Sequence, residues 1–309
     1  MKIALNYRRD IHDGKVVPSY SESVRRELVM RGHEVFPVGE GHDNQLPGSP
    51  YPIVHDQLSL KYFDFVLELD NGRNKAGSLG FGEYNPVSIP RAIWFIDSHG
   101  QPTLHKRLAK DYTHVFFAVW SKRDLFASHG SAHWCPNATD AIHFPRASAN
   151  IPTYDFGFFG SKGGLDRAKP LQEICERHGW SADVRQINGP FKPKWPFTAE
   201  AMWGCTTLFN HGQKHDGPNL RVMESMAVGR PLITDMDPQS GMSKLFVEGE
   251  HYLGYESYTY KGLEEKMLYA KAHPGWCLRV ANQAYDLVMA KHQIGNRVDQ
   301  MLEVFNANA

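Results

Sequence analysis

The sequence predicts an α/β protein of two successive lobes, each built on a parallel sheet, with a helical C-terminus. Three observations carry that reading: the chain opens as strand, helix, glycine, strand; the pattern restarts near Tyr154; and nearly everything after Tyr260 has helical periodicity. Lys2–Tyr7 (KIALNY) reads as a short buried strand. Ser19–Arg31 follows with Val24, Leu28 and Val29 at helical spacing and stops at Gly32, which accepts a left-handed C-terminal turn. His33–Val38 is the next strand, completing the opening unit of a doubly wound sheet. Phe63–Leu69, Arg91–Ile96 and His114–Val119 are further buried strands. Ser121–His129 reads as a short helix behind a capping serine, and Ala132–Pro136 as a proline-bounded connection. Residues 1–148 therefore form the first lobe.

The second lobe starts with the strand Tyr154–Phe159, which runs into the glycine-rich turn Gly160–Gly164 and a helix over Asp166–His178. Ala182–Ile187 is a strand, Ala199–Trp203 part of a helix, and Thr206–Asn210 another strand. Leu220–Val228 is a helix closed by Gly229, and Pro231–Asp235 the strand after it. The helical tail breaks at His273–Pro274. Residues 149–285 make the second lobe, and 286–309 a C-terminal helix expected to pack back on the first.

Composition narrows the function classes. The 309 residues carry 34 basic and 34 acidic side chains, and 41% are hydrophobic, so the chain has material for packed cores and no broad charge attraction to nucleic acid. No apolar run is long enough to span a bilayer, and the start, MKIALNYRRD, has its arginines after the apolar stretch, the wrong order for a signal peptide. Cys135, Cys175, Cys205 and Cys277 are scattered without metal spacing, which reads as free thiols in a cytoplasmic protein. His211 and His215 stand four apart, a spacing that a helix would turn into a metal pair. Gly212 and Gly217 make a loop the better reading, and no metal is expected.

The most informative stretch is Asp216–Asp235, DGPNLRVMESMAVGRPLITD. A Gly-Pro loop delivers Asn219, Leu220 and Arg221 to the start of a helix, where backbone N–H groups, the helix dipole and a guanidinium make an anion site. Glu224 lies one turn inside, and Asp216 eight residues before it. Acids at both positions suit the hydroxyl groups of a ligand whose phosphate rests on the helix N-terminus. The same residues also fit a solvated helix charge and a turn.

The wording of this stretch is similar to the donor-site signature of group-1 glycosyltransferases of the GT-B fold: two acids spaced Glu-x7-Glu, then an (E)AMA-x-G-x-P-(V/L)-I sequence. More narrowly, NLRVMESMAVGRPLITD resembles their spore-maturation-protein-like branch. Here the first acid is Asp, one methylene shorter. Tyr154–Ser161 with Asp166-Arg167 resembles the family's opening of its second lobe. Ile89–His99 resembles the strand and loop at the inter-lobe cleft, Trp134–Asp140 the segment before the lobes join, and His292–Arg297 the helical tail.

The resemblance implies two Rossmann-like lobes with a cleft between them, binding a UDP- or GDP-sugar on the second lobe and an acceptor on the first. It implies transfer with retention, without metal, and with no cofactor besides the nucleotide-sugar substrate. Gly160, Ser161, Lys162, Arg167, Asn219, Leu220, Arg221 and Glu224 would bind the donor, with Glu224 on the ribose. Asp216, His99 and Asp97 would be the catalytic set, Asp216 contacting the donor sugar. The loop Asp97-Ser98-His99-Gly100 also follows a buried strand directly, where ligands of open α/β sheets bind, though its histidine equally suits a helix cap. The long polar loop Arg8–Tyr20 offers Asp10, His12 and Asp13 to the acceptor side, where one of them would be the base if the reaction inverted.

The acceptor class is open: glycan, lipid, protein or DNA with hydroxymethylated bases. Basic residues of the first lobe (Arg8, Arg9, Arg73, Lys75, Lys106, Arg107, Lys110, Lys122, Arg123) suit an anionic acceptor or are solvated helix ends. The rivals are a non-catalytic module binding sugar-nucleotides or glycans, favoured by Asp at 216, and a GT-B-shaped sugar-nucleotide epimerase.

Overall fold

The computed structural model describes residues 1–9, 11–12, 15–16, 19–39, 41–42, 63–70, 89–96, 98, 100–147, 151–161, 166–187, 195–212, 217–257 and 259–307. Its strands, in chain order, are β1 (Lys2–Asn6), β2 (Ile11–His12), β3 (Lys15–Val16), β4 (Glu34–Val38), β5 (Phe65–Asp70), β6 (Arg91–Phe95), β7 (His114–Phe117) and β8 (Ala132–Trp134), then β9 (Tyr154–Ser161), β10 (Ala182–Ile187), β11 (Cys205–Asn210), β12 (Leu232–Met236) and β13 (Leu253–Glu256). Helices are named by their residues below. The chain divides into two compact units, Met1–Pro136 with Ile294–Ala309, and Asn137–Gln293. No helix among the described residues is long and apolar enough to cross a membrane.

The first unit is a six-stranded parallel sheet in the order β4-β1-β5-β6-β7-β8. The helix Tyr20–Met30 forms where its periodicity puts it. Ser19 caps it by accepting from the Glu22 amide at 3.2 Å, and Gly32 leaves it at φ 79°. Val24 and Leu28 are buried, whereas Val29 turns to solvent. The C-terminal helix Ile294–Asn306 belongs to this unit: the Phe305 ring packs tilted against Phe65 with centroids 4.1 Å apart, and Arg31 pairs with Asp299. β5 is buried along its whole length and yet carries two acids, each with a partner. Tyr112 donates to Glu68 at 2.6 Å, and His105 Nε2 lies 2.8 Å from Asp70.

Three readings from sequence change in this unit. The expected helix over Ser121–His129 is a 3-10 turn at Trp120–Leu125, closed by i to i+3 bonds such as Lys122 N–H to Val119 O, and Ser121 does not cap it. Ala132–Trp134 is a short strand, because Val115–Phe117 leave that edge of the sheet open to pairing. The long first loop contains a small antiparallel pair, β2 with β3.

The second unit is a five-stranded parallel sheet in the order β10-β9-β11-β12-β13. The chain leaves β9 toward β10 on one side and returns to β11 on the other, so the strand order reverses between β9 and β11. Gly157 lets those strands pack, because a Cβ there would collide with Cys205 Sγ. The helix Leu220–Ala227 is sandwiched: Val222, Met223, Met226 and Ala227 pack with Ala284 and Val288 of the helix Pro274–Lys291. Each large side chain so buried contributes about 1.5–3 kcal/mol. The strand β13 and the short helix Met242–Leu245 are additions to the elements read from sequence. All four cysteines are free and buried, and burial pushes the Cys135 and Cys205 thiols up to about 12.

Candidate functional site

In an open parallel sheet a ligand sits beyond the C-terminal strand ends, where the strand order reverses. In the second unit that point lies between Ser161, ending β9, and Asn210-His211, ending β11. Arg167 bridges it. Its side chain is 7% exposed, its Nη1 donates to the His211 carbonyl at 3.0 Å, and its guanidinium lies 5.8 Å from the Phe158 ring centre. Gly160 lies against the same ring, where a Cβ would stand 3.0 Å from Phe158 Cζ. A guanidinium in such a setting keeps its charge and presents a planar fork suited to phosphate.

The helix Leu220–Ala227 is held against the same strand ends. A cis bond joins Gly217 to Pro218, and Asn219 caps the helix by accepting from the Val222 amide at 3.2 Å. Asn219 Nδ2 donates to Asn210 Oδ1 at 3.3 Å, and Asn210 Nδ2 donates to Thr234 Oγ1 at 3.0 Å. One chain of amides thus ties the helix start to β11 and β12. The helix N-terminus carries roughly half a positive charge. One turn in, Glu224 is 5% exposed and forms an ion pair with Arg221 at 2.8 Å. Arg221 thereby neutralises a buried carboxylate on its own helix.

Beyond β11 lies a polar cluster that reading the sequence missed. Asp235 accepts from the Gly212 amide at 2.8 Å and from the Ser257 hydroxyl at 3.0 Å. His211 Nδ1 lies 2.7 Å from the Tyr255 hydroxyl, which also donates to Asn210 O at 3.2 Å. Burial lowers the pKa of His211, with Arg167 lowering it further and Asp235 opposing. Burial likewise holds the Tyr255 hydroxyl well above its usual value. Tyr260, in the left-handed region at φ 56°, lays its ring 4.6 Å from that of His211. The signal was available: Asn210-His211 directly follows the buried strand TTLFN, the same placement that singled out Asp97-Ser98-His99.

Of the residues expected in the site, Gly160, Arg167, Asn219, Leu220, Arg221 and Glu224 fall in this neighbourhood of the second unit. Ser161 is described by its backbone alone, paired with Ile187. Lys162, Asp216, Asp97, His99, Asp10 and Asp13 lie outside the described residues, and His12 is described only as backbone of β2. His215 also lies outside them. Among the described residues, no three His, Cys, Asp or Glu side chains converge as metal ligands. In the first unit, the buried pair Asp70–His105 lies beside the strand that precedes Asp97, with the His105 ring stacked 4.5 Å from Phe95.

A family model described as glycosyl transferase-like matches residues 142–303, just over half of the chain. A comparison with curated proteins gives no match. Among solved structures, Anabaena HepE in complex with UDP-glucose superposes with a TM-score of 0.66 at 14% identity, covering 99% of this chain and 100% of that one. Sucrose-phosphate synthase of Thermosynechococcus elongatus gives 0.64 at 11%, over 99% and 98% of the two chains. An alpha-glucosyltransferase in complex with UDP-glucose and abasic-site DNA gives 0.64 at 11%, over 99% of each.

Proposed function

We propose, since the chain belongs to the glycosyl transferase-like family and shares the GT-B fold of these structures, that it moves a sugar from a nucleotide diphosphate to an acceptor hydroxyl. The observation that carries this reading is the buried Arg167 lying across the strand-order reversal, beside the capped N-terminus of Leu220–Ala227. A guanidinium and a row of open backbone N–H groups suit a diphosphate whose charge grows as the glycosidic bond breaks. Arg167, Asn219 and Leu220 then hold the diphosphate, a role that Lys162 and Arg221 share. Glu224, kept charged and oriented by Arg221, accepts from the ribose hydroxyls. UDP is the first nucleotide to test, because HepE and the alpha-glucosyltransferase are complexes with UDP-glucose.

In this proposal Asp216 contacts the donor sugar, Asp97 and His99 serve catalysis, and the first unit binds the acceptor with Asp10, His12 and Asp13. The reaction keeps the anomeric configuration and needs neither metal nor cofactor. The cationic side chains and helix N–H groups named above support metal independence, since they meet the diphosphate directly. An anionic acceptor suits the first unit. Exposed Lys106, Arg107, Lys110 and Arg123 all lie on segments that follow the C-terminal ends of β6 and β7.

Thermal shift with nucleoside diphosphates and their sugars tests the donor. A ligand at 100 times its Kd stabilises by about 2.7 kcal/mol. UDP released from UDP-glucose in excess chelator, and NMR of the anomeric proton in the product, test the chemistry. A chain that no nucleotide sugar stabilises sinks the reading, and an inverted product moves the catalytic role to the Arg8–Tyr20 loop.

A further inference from the structure

The His211 side chain has no role in the reading above, yet its surroundings fix it completely. It is 4% exposed and lies among Tyr255, Tyr260, Arg167 and Asp235 at the end of β11. Its tautomer follows from its neighbour. The Tyr255 hydroxyl has one proton and two close partners, the Asn210 carbonyl at 3.2 Å and His211 Nδ1 at 2.7 Å. With the tyrosine proton given to the Asn210 carbonyl, as that hydrogen bond runs, the imidazole donates from Nδ1–H. Nε2 is left as a bare lone pair. Among the described residues nothing hydrogen-bonds to it. On a side chain that is 4% exposed, such an acceptor is open to a ligand or a water.

The chemistry of Nε2 selects what it meets. A neutral imidazole acceptor does not pair with phosphate oxygens, which also only accept, so the complementary group is a hydroxyl. We propose that His211 is a donor-contact residue whose Nε2 accepts a hydrogen bond from a hydroxyl of the bound nucleotide sugar, next to the diphosphate held by Arg167. This rests on the glycosyltransferase reading and extends it to a residue outside the Asp216-x7-Glu224 pattern. The Tyr255 hydroxyl and the Tyr260 ring act through His211, one fixing the tautomer and the other the ring plane. Among the described residues, the charged groups facing the imidazole are Arg167 and Asp235, and the titratable ones are Tyr255 and Tyr260.

The tautomer is tested on the wild-type protein by two-bond proton–nitrogen correlations of the imidazole. An Nδ1–H pattern is expected at pH 7.5, and an Nε2–H pattern overturns the proposal. Calorimetric titration with UDP and with UDP-glucose tests the contact. His211→Asn keeps a donor for Tyr255 but loses the Nε2 acceptor, so affinity should fall about tenfold, the value of one hydrogen bond. His211→Gln, whose amide reaches the Nε2 position, should recover most of it. Loss with both ligands assigns the hydroxyl to the ribose, and loss with UDP-glucose alone assigns it to the sugar. Wild-type affinity should also fall on acidification as the imidazole gains a proton at Nε2, and that fall should vanish in His211→Asn. Unchanged binding by His211→Asn overturns the proposal alone. A wild-type chain that binds neither ligand overturns the donor reading as well.

Discussion

At Arg167 a guanidinium is buried with the His211 carbonyl as hydrogen-bond acceptor and the Phe158 ring beside it. Such a group is costly to bury and is well placed for an anion whose charge grows during reaction. Arg167→Ala should therefore lower kcat/KM for UDP-sugar turnover by about 10- to 100-fold, the range of one charge-assisted hydrogen bond. Arg167→Lys should recover only part of that, since an ammonium lacks the planar fork. Equal steady-state rates for wild type and Arg167→Ala would show the guanidinium to be structural. Arg221 is expected from sequence to meet an anion, and the structure adds an ion pair from its Nη1 to Glu224 on the same helix.

The helix Leu220–Ala227 has eight residues, too few to hold its shape by propensity. Packing of Val222, Met223, Met226 and Ala227 fixes it from one side, and the Asn219 cap fixes its start. The cap has a second function, because the same amide is tied to Asn210 and through it to Thr234. Asn219→Ala should cost about 1 kcal/mol of stability, read as a lower urea midpoint. It should also weaken UDP-sugar binding by more than that stability loss implies. Asn219→Asp restores the cap but not the bond to Asn210, so it should recover stability and leave the binding defect. Recovery of both would show that the cap alone matters.

Across the molecule, buried and half-buried histidines make stability depend on pH in one direction. Burial lowers the pKa of His114, His133 and His211, with neighbouring His133 and His129 adding to the effect at His114, and His129 at His133. In the first unit, Ser131 Oγ lies between His114 Nδ1 at 2.8 Å and His133 Nε2 at 2.9 Å. A histidine whose folded pKa is depressed takes up its proton first in the unfolded chain. Its contribution is complete above the unfolded value of roughly 6.5 and is lost as pH falls below it. The urea midpoint should drop between pH 7.5 and 5.5, and His133→Gln should flatten that drop. A midpoint constant over this range would contradict the burial of these rings.

What the sequence by itself determined is what local pattern and periodicity encode. Apolar strands flanked by helices, with glycine just after the ends of Tyr20–Met30 and Leu220–Ala227, specify parallel sheets, and the fold observed is of that kind. The stretch from Asn219 to Asp235 could be read as helix, cap and strand because each of those signals acts within a few residues. Contacts between distant segments were not legible. Glu68 meets Tyr112 and Asp70 meets His105 across the first sheet, and Asp235 meets both Gly212 and Ser257 across the second. No sequence spacing encodes such pairs, since they exist only once strands lie side by side in register. The same limit explains His211. Its place directly after the buried strand TTLFN was visible in the sequence, but its partners were not. Only the tertiary structure, by setting Tyr255 from β13 against it and Arg167 from beyond β9 beside it, decides its tautomer and its surroundings.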